Sequence, residues 1–385
     1  MSRNNFGKTF YRTAQASVLA CVLAMVAAGT AEAANRVGWV WANLPSTAAP
    51  YAPDPTRAFN SVGGPIQISR PSAGVYQVRF TGLYNGAPDD VQVTAYGTNS
   101  YCMTAGWGHS GKDVLANVDC YDKAGVAANR QFTLLYQSRS APLTSSTRAL
   151  AFVWADQPTA VSTYAPSAGR QYNSTGSVNT VNHIGVGNYS VVLPKLTVTS
   201  GDVQVTAYNF GQNPAGPGGP ARCKVGSWLN NADATFVNVW CFDASGKPAD
   251  EYFDLAYARK VTFGFTGSAN VKGAYAWANQ PANPSPYVTD LKYQFNGFAT
   301  GSLTAQMIAV GRYSVVIPGS LSYTTSNVIV TAYGPDSAPS SDYCNIVGWS
   351  GGTVAVNCYK QGGTLDNSQF DLAFQTEDNA AAPAK

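Results

Sequence analysis

Apolar and polar residues alternate along most of this chain. The segment Val75 to Phe80 is typical: every second residue is apolar, and a Gly stands before it. A period of two places alternate side chains on one face of a β-strand, and Gly, Pro, Asn and Asp between such segments favour turns. No convincing helical pattern occurs after the N-terminal segment. The pattern therefore predicts an all-β protein of short antiparallel strands.

One unit of strands and turns occurs three times. Its most regular strand, Val91 to Tyr96 (Val-Gln-Val-Thr-Ala-Tyr), returns at Val203 to Tyr208 and at Val328 to Tyr333. Each copy begins with an aromatic-x-Trp strand and ends with a Phe-x-Leu-x-aromatic strand. We place the repeats at 34–138, 149–258 and 272–376, followed by a disordered tail at 377–385.

The segments between repeats differ in pattern. Residues 138–148 are rich in Ser, Thr, Ala and Pro, as expected of a linker. In the second linker, 259–272, Val261, Phe263 and Phe265 alternate. We expect this linker to add an edge strand to one repeat or to pack between two.

Each repeat contains about seven or eight short strands separated by turn signals, which is typical of an antiparallel β-sandwich. The prediction is three tandem sandwiches of immunoglobulin-like architecture. The two cysteines of a repeat lie too close in sequence to link distant strands across two sheets, as an immunoglobulin domain does. The topology of each sandwich is therefore left open.

Residues 1–33 have the organisation of a secretion signal. A basic stretch precedes an apolar run at 16–29, and a small-x-small cleavage pattern ends at Ala33. The apolar run is too short for a transmembrane helix. Lipidation at Cys21 is an alternative, which the continuation of the apolar run beyond that residue disfavours. We expect a secreted or periplasmic protein cleaved near Ala33.

Removal of the signal leaves six cysteines, two in each repeat, and an even number in a secreted chain indicates disulfides. Pairing within each repeat is the arrangement that treats all three alike: Cys102–Cys120, Cys223–Cys241 and Cys344–Cys358. The third spacing is four residues shorter, which a hairpin accommodates by losing two residues from each arm. Each bridge should stabilise its repeat by about 3 kcal/mol.

Composition narrows the classes of function. Charged residues make up 12% of the chain and the formal net charge is +3, so nothing favours nucleic acid as a partner. No other apolar run in the sequence is long enough to span a membrane either. Histidine occurs only at 109 and 183, and neither recurs between repeats. We therefore predict no catalytic residues, no metal and no cofactor; Asp89 and Asp90 form the weak calcium candidate.

The recurring candidates for binding are three tryptophans, Trp107, Trp228 and Trp349, each five residues after the first cysteine of its repeat. On an unbroken strand this odd offset places them opposite the cysteine, where an exposed indole could stack on a sugar. A bulge at the neighbouring Gly106, Gly226 or Gly348 would reverse the direction and pack the indole near the disulfide. A second set, Trp41, Trp154 and Trp277, is expected in the core.

These features lead to three functional hypotheses. The first is a secreted, non-enzymatic protein that binds a polysaccharide or cell-surface glycan through repeated sites. The second is a self-associating structural or adhesive component of an extracellular matrix, coat or appendage. The third is a hydrolase with a site that does not recur. Exposed tryptophans favour the first hypothesis, and buried tryptophans favour the second.

Overall fold

The structure is a computed structural model. It describes residues 35–97, 99–139, 143, 147–209, 219–265, 271–298, 301–320, 325–334 and 340–377. The predicted signal at 1–33, almost all of the tail and the centre of the loop at 209–222 lie outside the described residues. The described residues form one compact unit.

The described residues form 25 strands and two short 3-10 turns, at Pro55–Arg57 and Ala168–Arg170. The strands of repeat 1 are β1 Arg36–Ala42, β2 Ala58–Asn60, β3 Ile66–Ser72, β4 Val75–Phe80, β5 Asp89–Tyr96, β6 Ser100–Ser110, β7 Asp113–Asp122 and β8 Gln131–Ser138. Those of repeat 2 are β9 Ala149–Ala155, β10 Gln171–Asn173, β11 Thr180–Gly185, β12 Asn188–Pro194, β13 Asp202–Tyr208, β14 Ala221–Asn230, β15 Ala234–Asp243 and β16 Tyr252–Arg259. Those of repeat 3 are β17 Val271–Ala278, β18 Tyr287–Val288, β19 Gln294–Asn296, β20 Thr304–Ala309, β21 Arg312–Val316, β22 Ser326–Tyr333, β23 Tyr343–Ser350, β24 Thr353–Tyr359 and β25 Gln369–Glu377.

The prediction of an all-β protein built from three disulfide-containing β-sandwich repeats is confirmed. Each repeat splits into two half-sheets that face each other; in repeat 1 these are β2-β1-β8-β5 and β3-β4-β7-β6. Each half-sheet continues into a half-sheet of a neighbouring repeat. The result is three sheets of eight or nine strands, and every one of them is shared by two repeats.

The sheets join at three equivalent positions, where strands of different repeats run parallel. β5 meets β23, β13 meets β6, and β22 meets β14. The backbone hydrogen bonds are equivalent too: Gly97, Asn209 and Gly334 each donate an N–H to a carbonyl of the neighbouring repeat, over 2.8, 2.7 and 2.9 Å. Repeat 1 thus joins repeat 2, repeat 2 joins repeat 3 and repeat 3 joins repeat 1. The three repeats close into a ring with pseudo-threefold symmetry.

The disulfides pair as predicted, Cys102–Cys120, Cys223–Cys241 and Cys344–Cys358. Each bridge links the two arms of a hairpin at directly opposite residues. In the third hairpin the cysteine pair lies two residues closer to the turn on each arm, since Ser350 opposes Thr353 there and Ser110 opposes Asp113 in the first hairpin. The prediction of a symmetric loss of two residues per arm is therefore correct.

Five apolar clusters occur among the described residues. Each repeat has a sandwich core, and a fourth core lies between the repeats, with Trp39, Phe152 and Tyr275 from the three first strands. A fifth, smaller cluster also draws on all three repeats and includes Tyr101, Ala207 and Tyr343. Val261 and Phe263 of the second linker are buried in this fourth core. The linker therefore packs between repeats, the second of its two predicted outcomes. The described residues include no helix of the length and apolarity that a membrane crossing requires.

Candidate functional site

The three recurring tryptophans lie on the same face as the disulfides. A β-bulge follows the first cysteine in every hairpin, and after it the indole stands opposite Ala116, Val237 or Val354. These partners are an even number of residues from the second cysteine, so the indole and the disulfide share a face. At the first bulge Gly106 has φ +104°, a conformation that favours glycine. The bulge thus turns the tryptophans inward.

Each tryptophan packs in a joint between two repeats. Trp107, Trp228 and Trp349 are 8%, 6% and 8% exposed. Each contacts the Trp of the next repeat's first strand and the Tyr of its Val-x-Val-Thr-Ala-Tyr strand, with ring centroids 5.5–6.1 Å apart. We call the contacts of Trp107 the first joint, those of Trp228 the second joint and those of Trp349 the third joint. Trp41, Trp154 and Trp277, which were expected in the core, are these partners and are partly buried.

An arginine covers the indole in two joints. The guanidinium of Arg170 lies 4.4 Å from the ring centroid of Trp107, donates to its carbonyl over 2.9 Å and pairs with Asp89. Asp89 also accepts the indole N–H of Trp107 over 2.8 Å and the Tyr136 hydroxyl over 3.2 Å. Burial raises the pKa of Asp89, and the charge of Arg170 together with these hydrogen bonds opposes the rise.

In the third joint the hydroxyl of Ser326 takes the place of the Asp89 carboxylate of the first joint. Arg57 lies 4.6 Å from the centroid of Trp349 and donates to its carbonyl over 3.0 Å. Both the Arg57 guanidinium and the indole N–H donate to Ser326 Oγ, over 2.6 and 2.9 Å.

Among the described residues, the second joint has neither an arginine over the indole nor a hydrogen-bond acceptor for the indole N–H. Tyr293 stands at the position of the arginine, with its ring centroid 5.3 Å from that of Trp228 and nearly perpendicular to it. Gly201 stands at the position of Asp89, and the buried indole N–H of Trp228 has no hydrogen-bond partner among the described residues. A purely aromatic contact therefore closes this joint.

Three threonines connect the repeats around the pseudo-threefold axis. Each hydroxyl accepts the N–H of a valine in the neighbouring repeat over 2.9–3.0 Å and donates to the carbonyl of the same valine over 3.1–3.2 Å. The pairs are Thr206 with Val93, Thr331 with Val205, and Thr94 with Val330. The recurrence of this threonine in every Val-x-Val-Thr-Ala-Tyr strand therefore has a structural cause.

The same three threonines line a small cavity of about 50 Å³, to which all three repeats contribute residues. Arg222 lies in its wall, between the rings of Tyr101 and Tyr343, with its guanidinium carbon 4.9 Å from each centroid. Burial lowers the pKa of Arg222. The cavity can hold a few water molecules at most, so it is too small for a sugar.

Buried carboxyl groups lie at the first and second joints. Asp90 accepts hydrogen bonds from Gln92 over 3.1 Å and from Gln137 over 3.0 Å, yet burial raises its pKa to about 7. Burial raises the pKa of Asp254 well above its usual range, and the charge of Asp90 contributes to the rise. Asp202 and Asp371 form the equivalent group between repeats 2 and 3, and burial raises both of their pKa values. Thr133 and Asn327 stand at the corresponding positions in the third joint.

Neither histidine is hydrogen-bonded to a serine, threonine or cysteine within the described part of the chain. His109 stacks on Tyr84 with ring centroids 3.9 Å apart. His183 Nε2 lies 2.8 Å from Asp250 Oδ1, which also accepts the Gly187 N–H over 2.8 Å. No group of acids, histidines or cysteines suited to a metal ion occurs among the described residues, and Asp89 of the weak calcium candidate pairs with Arg170.

Sequence reasoning missed the arginines, the threonines and the buried acids. A signal for the arginines exists: Arg57 and Arg170 both stand two residues before an aromatic-Asn pair. No family model, curated protein or solved structure matches the chain, so its function has to be inferred from these residues.

Proposed function

We propose that the protein is a secreted, non-enzymatic scaffold, a structural or adhesive component of an extracellular matrix, coat or appendage. The observation that carries the proposal is the position of Trp107, Trp228 and Trp349, which are more than nine-tenths buried in the joints. The most regular aromatic feature of the sequence is thereby used to hold the ring together.

Two further features support this proposal. Three disulfides fix the hairpins that carry the tryptophans, and disulfides are typical of oxidising compartments outside the cytoplasm. The low content of charged residues, 12%, suits a rigid protein of a matrix better than a protein that captures a charged partner.

The experiment uses the chain from Ala34 onward. Sedimentation velocity and electron microscopy over a wide range of concentrations would measure self-assembly, and a panel of glycans and cell-wall polysaccharides would measure binding. We expect ordered assemblies or retention on extracellular material, without saturable glycan binding. A protein that remains monomeric and binds a glycan at several equivalent sites would contradict the proposal.

Polyvalent glycan binding is the second candidate, and the threefold recurrence of the tryptophans is the observation that favours it. Binding through these residues requires each indole to leave its joint, because an arginine or an aromatic ring already covers it. Acrylamide quenching of tryptophan fluorescence tests this requirement. A glycan that changes the quenching of a Trp240→Phe variant, whose one remaining tryptophan outside the joints is the fully buried Trp39, would support the candidate.

A further inference from the structure

Two of the three joints bring a threonine hydroxyl against a glutamine side chain of the neighbouring repeat. At the second joint, between repeats 2 and 3, Thr331 Oγ1 lies 3.0 Å from Oε1 of Gln204. At the first joint, between repeats 1 and 2, Thr206 Oγ1 lies 3.0 Å from Oε1 of Gln92. All four side chains are more than nine-tenths buried. A hydroxyl oxygen and an amide carbonyl group thus touch across each of these joints, away from bulk water.

Two buried carboxyl groups flank the pair at the second joint. Gln204 Nε2 donates to Asp202 Oδ2 over 2.8 Å, so one carboxyl group lies at the amide nitrogen. Asp371 stands directly opposite Thr331 in the antiparallel pair β22–β25, where facing side chains approach closely. Neither carboxyl oxygen of Asp371 has a hydrogen-bond partner among the described residues. The second carboxyl group therefore lies beside the hydroxyl and is placed to accept its proton.

The first joint contains the same four groups. Gln92 Nε2 donates to Asp90 Oδ1 over 3.1 Å, and Asp254 stands directly opposite Thr206 in the pair β13–β16. Asp90 and Asp254 are both buried, and the charge of one raises the pKa of the other. Two carboxyl groups that are buried close together share one proton, because a second negative charge is too costly there. Each joint thus holds one acid and one base.

The third joint has lost all of these groups except the threonine. Ile329 stands at the position of the glutamine, and Asn327 and Thr133 stand at the positions of the two acids. Thr94 keeps the contacts with the backbone of Val330 that all three threonines share. These contacts are enough to hold a threonine at a joint, so the glutamine and the acid pair at the other two joints have a different role.

We propose that the threonine of each pair forms an ester with the glutamine, so that two covalent bonds link the three repeats. At the second joint Asp371 takes the hydroxyl proton while Thr331 Oγ1 attacks the amide carbon of Gln204. The carbon–nitrogen bond then breaks, Nε2 takes a proton from Asp202, and ammonia leaves. One C–O bond replaces one C–N bond, the acid pair holds one proton before and after, and the reaction needs no oxidant, reductant or cofactor.

Burial favours this reaction in two ways. The fold holds the hydroxyl against the amide, which gives the two groups a high effective concentration. The exclusion of water protects the ester from hydrolysis once ammonia has left. The reaction occurs once per chain and follows from folding alone, so it does not depend on the self-assembly of the proposed scaffold, and a failure of either proposal leaves the other standing.

The test is the mass of the denatured and reduced chain from Ala34 onward. We expect a mass lower than that of the linear sequence by two molecules of ammonia. Proteolysis should release a fragment in which the peptide of Gln204 is joined to the peptide of Thr331, and alkaline hydrolysis of the ester should separate them. A mass equal to that of the linear sequence would show that the side chains are only hydrogen-bonded and would overturn the proposal.

Variants assign the loss of ammonia to the joints. Thr331→Val should lose one ammonia in place of two, whereas Thr94→Val, the same change at the third joint, should lose both. Thr331→Ser, which retains a hydroxyl, should restore the second loss. Near-UV circular dichroism checks the fold of each variant, and Asp371→Asn, which removes the base and leaves the hydroxyl in place, repeats the test if Thr331→Val is unfolded. The loss of both molecules in Thr331→Val would assign the ammonia to asparagine side chains and would overturn the proposal.

Discussion

At the first and second joints an equivalent tryptophan packs against two equivalent aromatic residues, a Trp and a Tyr of the next repeat. The two joints differ in the residues around the indole nitrogen. At the first joint Asp89 accepts the N–H of Trp107 and pairs with Arg170. At the second joint Gly201 and Tyr293 replace these residues, and the N–H of Trp228 lacks a partner among the described residues. Both joints nevertheless close with the same strand pairing. The aromatic contact is thus the common requirement, and the ion pair is an addition specific to one joint.

The backbone at Gly201 explains why the ion pair is not repeated. Its φ is +109°, and a Cβ added there would lie 2.7 Å from the carbonyl oxygen of Ala258 and 2.9 Å from the ring of Tyr257. An aspartate cannot occupy this position without a shift of the backbone. An arginine in place of Tyr293 would therefore have no carboxylate there to pair with, whereas Arg57 at the third joint donates to the Ser326 hydroxyl instead.

The largest effect should come from removal of the indoles. We expect Trp107→Ala to reduce the free energy of unfolding by about 5 kcal/mol and Trp228→Ala by about 3 kcal/mol, because both lose a large buried ring and only the first leaves a buried carboxylate with fewer donors. Urea denaturation followed by far-UV circular dichroism measures both. Equal losses would show that the polar groups of the first joint contribute nothing to its stability.

The second largest effect is on the pH dependence of stability: the free energy of unfolding should fall as the pH rises, whereas most carboxylates give the opposite trend. The pKa of Asp90 is raised from 3.8 to about 7 in the folded protein, so the folded state binds more protons than the unfolded state between these values. This contribution is complete below pH ~4 and is lost as the pH rises through ~7, a change of about 4 kcal/mol. Gln92, Gln137, Asp89 and Asp254 interact with this carboxyl group and set the midpoint, and Arg170 interacts in turn with Asp89 and Asp254.

The variant Asp90→Asn isolates this contribution, since Asn327 occupies the equivalent position in the third joint. We expect the variant to lose the decline in stability between about pH 4 and 7 that Asp90 causes, and to retain the declines from Asp202, Asp254 and Asp371, whose pKa values burial also raises. Thermal melts at a series of pH values measure it. A slope identical to that of the parent would show that Asp90 titrates in its ordinary range.

The third prediction compares the contribution of the Arg170–Asp89 ion pair to stability with that of the Tyr293–Trp228 ring contact. Arg170→Met should cost about 3 kcal/mol, because Asp89 stays buried without its cationic partner. Tyr293→Met at the equivalent position of the second joint should cost less, about 2 kcal/mol, since only packing is lost. Repeating Arg170→Met in an Asp89→Asn background gives the coupling energy of the pair. A coupling energy near zero would contradict the role assigned to Asp89.

The smallest effect concerns the indole nitrogen alone. Trp107→Phe removes one hydrogen bond to Asp89 and should cost about 2 kcal/mol, whereas Trp228→Phe removes an unpartnered N–H and should cost about 1 kcal/mol or less. The same denaturation experiment compares them. If Trp228→Phe proves the more costly, the N–H of Trp228 has an acceptor.

The sequence was sufficient for the repeats, the strands and the disulfides, because these depend on local periodicity and spacing. The inward turn of Trp107 could be anticipated as an alternative only, because a single bulged residue reverses the direction of every later side chain in the strand. The exchange of half-sheets between repeats was not predictable. The alternation of apolar and polar residues shows which face of a strand is buried, but it does not show which strand pairs with the edge of a half-sheet. Here one short parallel contact, such as Tyr208 opposite Thr104, decides that pairing.

The candidate site was harder to predict than the fold. The position of Arg57 and Arg170 before an aromatic-Asn pair marks them as recurrent, but the irregular passages around them give no signal for contact with a tryptophan of another repeat. Contacts between residues distant in sequence decide this feature.

The closed ring also fixes the copy number of the repeat. An open solenoid gains or loses a repeat at its ends with little change to the others, because each unit contacts only its neighbours. Here β5 of repeat 1 pairs with β23 of repeat 3, so the first and last copies are themselves neighbours. A fourth copy would have to change the angle at every joint, and a chain with two copies would leave strand edges open to other molecules. The geometry of the joints therefore sets the number of repeats at three.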